Sequence, residues 1–163
     1  MPSYLEKKVL HALRESHPYE EVAYYFQKLE NENQEIGAGM VAELEESMDE
    51  MAFLKMLKEK MNLGTIKHTS LLGKKIRKVA VCGGAGIFLL PDAKKSGADI
   101  FITSDIKYHE FFDAENRLLL ADIGHWESEQ FTIDLLAEHL SGKFPTFAVL
   151  KTGVKTNPVE YFK

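Results

Sequence analysis

The sequence predicts an α/β fold, a parallel-strand-rich sheet with flanking helices, and three observations predict it. Near-continuous apolar runs at residues 78–82, 98–103 and 118–123 have the character of strands buried on both faces. Helical stretches lie between and after them, at about residues 88–96, 107–116 and 126–140, so strand and helix alternate as they do around a parallel sheet. The third observation is size and balance: 163 residues, 45% hydrophobic and 28% charged, suit one folded unit with room for an appendage.

Taken in order, Ser3 precedes an apolar stripe of Tyr4, Leu5, Val9, Ala12 and Leu13, and Glu6 follows it by three, which predicts a capping box and a helix over about 4–16. Pro18 stops that helix, because the residue before a proline is pushed out of the α region. Val22-Ala23-Tyr24-Tyr25-Phe26 reads as a strand, and Asn31-Glu32-Asn33-Gln34-Glu35 as a polar loop dividing residues 1–35 from 36–163. Residues 36–44 read as a strand, and Ser47 with Glu50 makes a second capping box for a helix over about 48–61. The pair Gly37 and Gly39 lacks the preceding strand that a dinucleotide fingerprint needs and reads as a bulge or close-packed strand. A last strand at 146–151 is expected to join the sheet before an irregular tail around Asn157 and Pro158.

Charge excludes several partners. Twenty Lys and Arg against 25 Asp and Glu give −5, so no basic field draws nucleic acid or a membrane surface. No apolar run approaches the ~20 residues of a membrane-spanning helix. The single cysteine, Cys82, forms no intrachain disulfide, and a charged N-terminal segment follows Met1, so a cytoplasmic location is expected.

In an open parallel sheet, ligands gather beyond the carboxyl ends of the strands. There this sequence places Gly83, Gly84 and Gly86 after the first apolar run, Ser104 and Asp105 after the second, and Gly124 and His125 after the third. The glycines form either a cradle of backbone amides for an anion or a tight strand-to-helix turn. His125 and Glu129 stand four apart at a helix start, as partial ligands for zinc, manganese or iron, or as a capped helix end with a hydrogen-bonded histidine. Glu127 is a competing carboxylate. Asp105 and His109, also four apart, read as an acid and base pair or as support behind the ligands, or else as a capped helix with Asp105 at its N-cap. Cys82 reads as a small apolar residue, and Trp126 either walls a pocket or packs the helix start.

Four ordered blocks carry a resemblance. Ser16-His17-Pro18-Tyr19-Glu20-Glu21-Val22-Ala23-Tyr24, then Val79-Ala80-Val81-Cys82-Gly83-Gly84-Ala85-Gly86, then residues 98–109 through Thr103-Ser104-Asp105, then Asp122-Ile123-Gly124-His125 with Glu129, resemble the second half of the Nif-three-like family, also called GTP cyclohydrolase I type 2 homologues. The resemblance implies that residues 36–163 are the C-terminal lobe of a two-lobed α/β protein. It implies that residues 1–35 are a helix and strand left from an inserted ferredoxin-like module; a helix and one strand make no two-layer core and would leave Tyr24, Tyr25 and Phe26 exposed, so this segment is expected to pack on a neighbouring chain or to swap between chains. It further implies a pair of divalent ions between the lobes, with His125 and Glu129 as this lobe's ligands, a homohexamer, and a small-molecule substrate. The family's other lobe, with its paired histidines and aspartate, has no counterpart here, so the chain is expected to be a C-terminal fragment, inactive alone. Ser104 and Ala42 stand where the family usually has glycine. Two functions follow: a metal-dependent hydrolase whose activated water attacks a purine ring or phosphoester, or a non-enzymatic regulatory or interaction protein with a structural metal site.

Overall fold

A computed structural model describes residues 1, 3–28 and 36–162 and divides the chain into two units, Met1–Glu35 and Ile36–Lys163. The expected polar loop at 31–35 lies outside the described residues.

In the first unit a 3-10 turn, Ser3–Leu5, leads into helix α1 (Glu6–Ser16). That turn moves the α-helical start past Ser3, so Leu5 takes the N-cap and the expected capping box does not form. The helix stops where proline dictates. His17 is extended at ψ 137 and its N–H donates to the Leu13 carbonyl at 3.0 Å. The expected strand at 22–26 is not one: it has no strand partner among the described residues, and Tyr25 is 96% exposed. Aromatic and β-branched residues favour a pleated surface only when another strand supplies the ladder.

The second unit is a five-stranded sheet in the order β1 (Met40–Asp49), β3 (Lys75–Ala85), β4 (Ile100–Ser104), β5 (Leu119–Asp122) and β2 (Lys67–His68). The three apolar runs pair as expected, parallel and adjacent, with Val81 opposite Ile102 and Ile102 opposite Ala121. Both outer strands are antiparallel to their neighbours. Alternation along the central strands builds two cores. Ile100, Ile102 and Leu119 face helix α2 (Glu50–Lys60) through Phe53, Leu54 and Leu57. Phe101, Leu118 and Leu120 lie in the other core with Leu90 and Ala93 of helix α3 (Leu90–Lys95) and Ala114 of the 3-10 helix Tyr108–Ala114. Full burial of each large side chain contributes about 1.5–3 kcal/mol, which makes these layers the main support of the fold.

Other local expectations shift. Asp49 takes the N-cap of α2, while Glu50, only 5% exposed, accepts the Leu72 and Gly73 N–H groups, both at 2.9 Å. Its carboxylate therefore anchors a distant loop instead of closing a capping box with Ser47. Gly39 is the expected close approach: a Cβ there would stand 2.8 Å from the Val81 carbonyl. The helix expected at 126–140 is two, α4 (His125–Glu129) and α5 (Thr132–Lys143). Residues 146–151 form no strand and pair with none among the described residues; Leu150 is 89% exposed. Among the described residues, no helix is long and apolar enough to cross a membrane.

Candidate functional site

The carboxyl ends of β3, β4 and β5 meet the short helix α4. β4 ends at Ser104, and Asp105 follows with φ +58, a left-handed turn that carries its carboxylate to the imidazole of His125. Asp105 Oδ2 lies 2.6 Å from His125 Nδ1, and His125 Nε2 lies 3.5 Å from Glu129 Oε2 one helical turn on. The hydrogen bond to Asp105 raises the His125 pKa above its ordinary value; partial burial opposes this, and the charges of Asp105 and Glu129 add to it. All three side chains are about half exposed, so the site opens to solvent.

The glycine turn is the mould for α4. Gly84 has φ +64, and a Cβ there would come within 2.6 Å of Glu129 Oε1 and 3.3 Å of His125 Nε2. Its N–H donates to Ser128 Oγ at 2.8 Å, and that hydroxyl donates to the His125 carbonyl at 2.7 Å. The Gly86 N–H donates to Thr103 Oγ1 at 2.9 Å, and the threonine hydroxyl donates to the Gly84 carbonyl at 3.0 Å. Two of the three glycine amides are thus committed to hydroxyls within the fold, while Gly83 lies exposed. Ser104 Oγ is buried without a hydrogen-bond partner among the described residues.

Asp105 and His109 are not brought together. Lys107, with an extended backbone, takes the N-cap of the 3-10 helix, and its N–H donates to Glu110 Oε2 at 2.7 Å. The left-handed turn leaves Asp105 outside that helix, so it cannot act as N-cap, and His109 is exposed and does not line the cavity beside His125. Cys82 is 7% exposed; burial pushes its thiol pKa up and the Glu129 charge adds to the shift, as suits a packed thiol rather than a nucleophile.

That cavity, about 690 Å³, extends from Asp105, His125 and Glu129 past Trp126 to Lys67, Gln130 and the tail residues Asn157 and Tyr161. Spacing alone had not fixed the roles of several of its groups. Asp122, 2% exposed, accepts the Gly124 N–H at 3.0 Å and the Ile106 N–H at 3.2 Å, and pairs with Lys67 Nζ at 2.6 Å. Glu127 is buried instead of facing the ligand pair, and its Oε1 accepts the Asn157 amide at 3.3 Å. The signal available for Glu127 was its offset of two from both His125 and Glu129, which on a helix turns a side chain away from theirs.

Among the described residues no group of three or more His, Cys, Asp or Glu side chains gathers to hold a metal ion. The donor set nevertheless fits two ligands of one. A ligating imidazole typically binds through one nitrogen while a carboxylate holds the other, as Asp105 does at Nδ1, leaving Nε2 facing Glu129.

Known proteins resemble this chain over nearly its whole length. The family model for Duf34/NIF3 (NGG1p interacting factor 3) matches residues 5–158. A Halalkalibacterium halodurans protein described as GTP cyclohydrolase 1 type 2 homolog is 35% identical over 160 residues, 96% of this chain and 43% of the relative. A Staphylococcus epidermidis protein of the same description is 31% identical over 154 residues, 92% of this chain and 42% of the relative. The solved structure of a Bacillus cereus protein related to NIF3 superposes with a TM-score of 0.78 at 32% identity, covering 99% of this chain and 46% of that one. The chain spans less than half the length of these relatives.

Proposed function

The chain belongs to the Duf34/NIF3 family, and from that premise we propose that it supplies the histidine and carboxylate part of a divalent-metal site in a metal-dependent hydrolase of the GTP cyclohydrolase 1 type 2 homologue kind. The supporting observation is the line Asp105, His125, Glu129, with 2.6 Å on one side of the imidazole and 3.5 Å on the other. His125 Nε2 and Glu129 would hold zinc, manganese or iron, and Asp105 would keep the ring turned toward it. A divalent ion, when bound, supplies electrophilic polarisation to a purine ring or a phosphoester. The chain's own residues do the positioning: Asp105 keeps the proton of His125 on Nδ1.

One imidazole and one carboxylate leave most of a metal's shell to water. Binding by this chain alone is therefore weak and turnover absent, and the remaining ligands come from a second lobe such as the longer relatives have room for. Calorimetric titration of zinc and manganese tests this. Weak binding that disappears in His125→Ala is expected, with far tighter binding in a full-length relative. Tight stoichiometric binding to this chain, or indifference to His125→Ala, would place the metal elsewhere.

A further inference from the structure

We propose that Asp122, with Lys67 as its counter-charge, is the positioning residue of this site: its carboxylate fixes the two backbone turns that bring Asp105 and His125 together. The placement of the imidazole follows from hydrogen bonds within the chain, and only the zinc arm of the test rests on the metal reading.

The hydrogen bond between Asp105 and His125 joins two loops that leave adjacent strands. Asp105 follows β4 with φ +58, and Gly124 follows β5 with φ +90 and is the N-cap of α4. A left-handed backbone at a residue that carries a side chain persists only where its surroundings hold it. Neither turn supplies its own anchor, because Gly124 has no side chain and the Asp105 carboxylate is turned to His125. Asp122, the last residue of β5, anchors both. Its Oδ1 accepts the Gly124 N–H at 3.0 Å, one residue before His125, and its Oδ2 accepts the Ile106 N–H at 3.2 Å, one residue after Asp105. One side chain thus grips the backbone on either side of the pair.

Charge allows a single side chain to do this. An ionised carboxylate only accepts, and through two oxygens, so it faces two N–H groups at once; an amide of the same shape must turn its own NH2 toward one of them. The charge lies at 2% exposure, where it needs a partner. Lys67 stands opposite Asp122 in the antiparallel pairing of β2 with β5, and its Nζ lies 2.6 Å from Oδ2. Strand β2, which is only Lys67 and His68, thereby brings a cation to the one carboxylate that holds both turns.

Glu50 offers a matched comparison. It is also buried and also accepts two N–H groups, those of Leu72 and Gly73, through its two oxygens. Those groups precede β3, at the opposite end of that strand from the glycine turn beside His125.

Nitrogen NMR of the His125 ring at about pH 9, where imidazole rings are neutral, reads which nitrogen carries the proton. In the wild type the proton should sit on Nδ1, and Asp105→Ala, which removes the acceptor outright, sets the scale of its loss. Asp122→Asn should raise the ratio of the Nε2–H form to the Nδ1–H form about tenfold, the factor that one hydrogen bond to a charged group makes. Glu50→Gln should lower stability as Asp122→Asn does and leave that ratio at its wild-type value. Zinc affinity should fall about tenfold in Asp122→Asn and hold in Glu50→Gln. A shifted ratio in Asp122→Asn, together with a wild type that binds no zinc, upholds the positioning role and overturns the metal reading instead. An unshifted ratio in Asp122→Asn overturns the positioning role whatever zinc does. So does an equal shift in Glu50→Gln, which would make the effect a general loosening of the fold. Should Asp122→Asn not fold, Asp122→Ser takes its place with the same expected shift. Failure of both to fold also overturns the proposal, since Asp122 would then support the sheet as a whole rather than the pair.

Discussion

Helices α1 and α2 are both 11 residues long, and α1 is the more strongly amphipathic of the two. Yet α1 has no buried residue, while α2 buries Phe53, Leu54, Leu57 and Glu50. The β-prone runs of the two units differ in the same way. Tyr24-Tyr25-Phe26 stays exposed, whereas Leu119, Leu120 and Ala121 are fully buried between β4 and β2. An apolar stripe offers a surface for burial, and a partner layer must be present before the stripe contributes stability.

Substitutions in the two units should therefore differ most at matched apolar positions. Phe101→Ala should cost about 3–5 kcal/mol in a denaturant titration, the usual loss for emptying a buried aromatic site. Tyr25→Ala should stay within about 0.5 kcal/mol, and a larger loss would break the comparison by revealing a partner surface in solution. Glu50→Ala comes next. It strands the Leu72 and Gly73 N–H groups in a partly buried loop and should cost about 2–3 kcal/mol, whereas Glu6→Ala in the first turn of α1 should cost less than about 1 kcal/mol.

Gly84→Ala sharpens the contrast from within the second unit. The left-handed backbone alone costs a side chain about 1–2 kcal/mol, and the added methyl must displace Glu129, so zinc binding should weaken along with stability. The smallest effect concerns pH. Burial, with the neighbouring Glu127 and Asp122 carboxylates, raises the Tyr161 pKa above its ordinary value. A phenol whose folded pKa exceeds its unfolded value of about 10 contributes stability that is present below that pH and is lost as pH rises through the folded value. Absorbance near 295 nm should show a late-titrating component that Tyr161→Phe removes.

Part of the candidate site was legible as spacing. His125 and Glu129 lie one turn apart on α4 and do face each other, because i and i+4 share a helical face. At Asp105 and His109 the same spacing gives no shared helix, because of the left-handed turn at Asp105; the Asp105 carboxylate instead meets His125, in keeping with its reading as support behind the ligands. Asn157 and Tyr161 left no trace in spacing, since their meeting with Glu127 joins positions 30 or more residues apart. The family resemblance, carried by four ordered blocks, is borne out by the match over residues 5–158.

By itself the sequence determined three parallel strands, the helices between them, the end of α1 before Pro18 and the close approach at Gly39, because apolar run length, periodicity and the sterics of proline and glycine act between near neighbours. Tertiary structure alone decided that residues 22–26 and 146–151 find no strand partner among the described residues, that Glu50 anchors a loop rather than a cap, and that Asp105 serves His125. Each of those outcomes depends on a group brought from far along the chain, and local propensity carries no information about whether that group arrives.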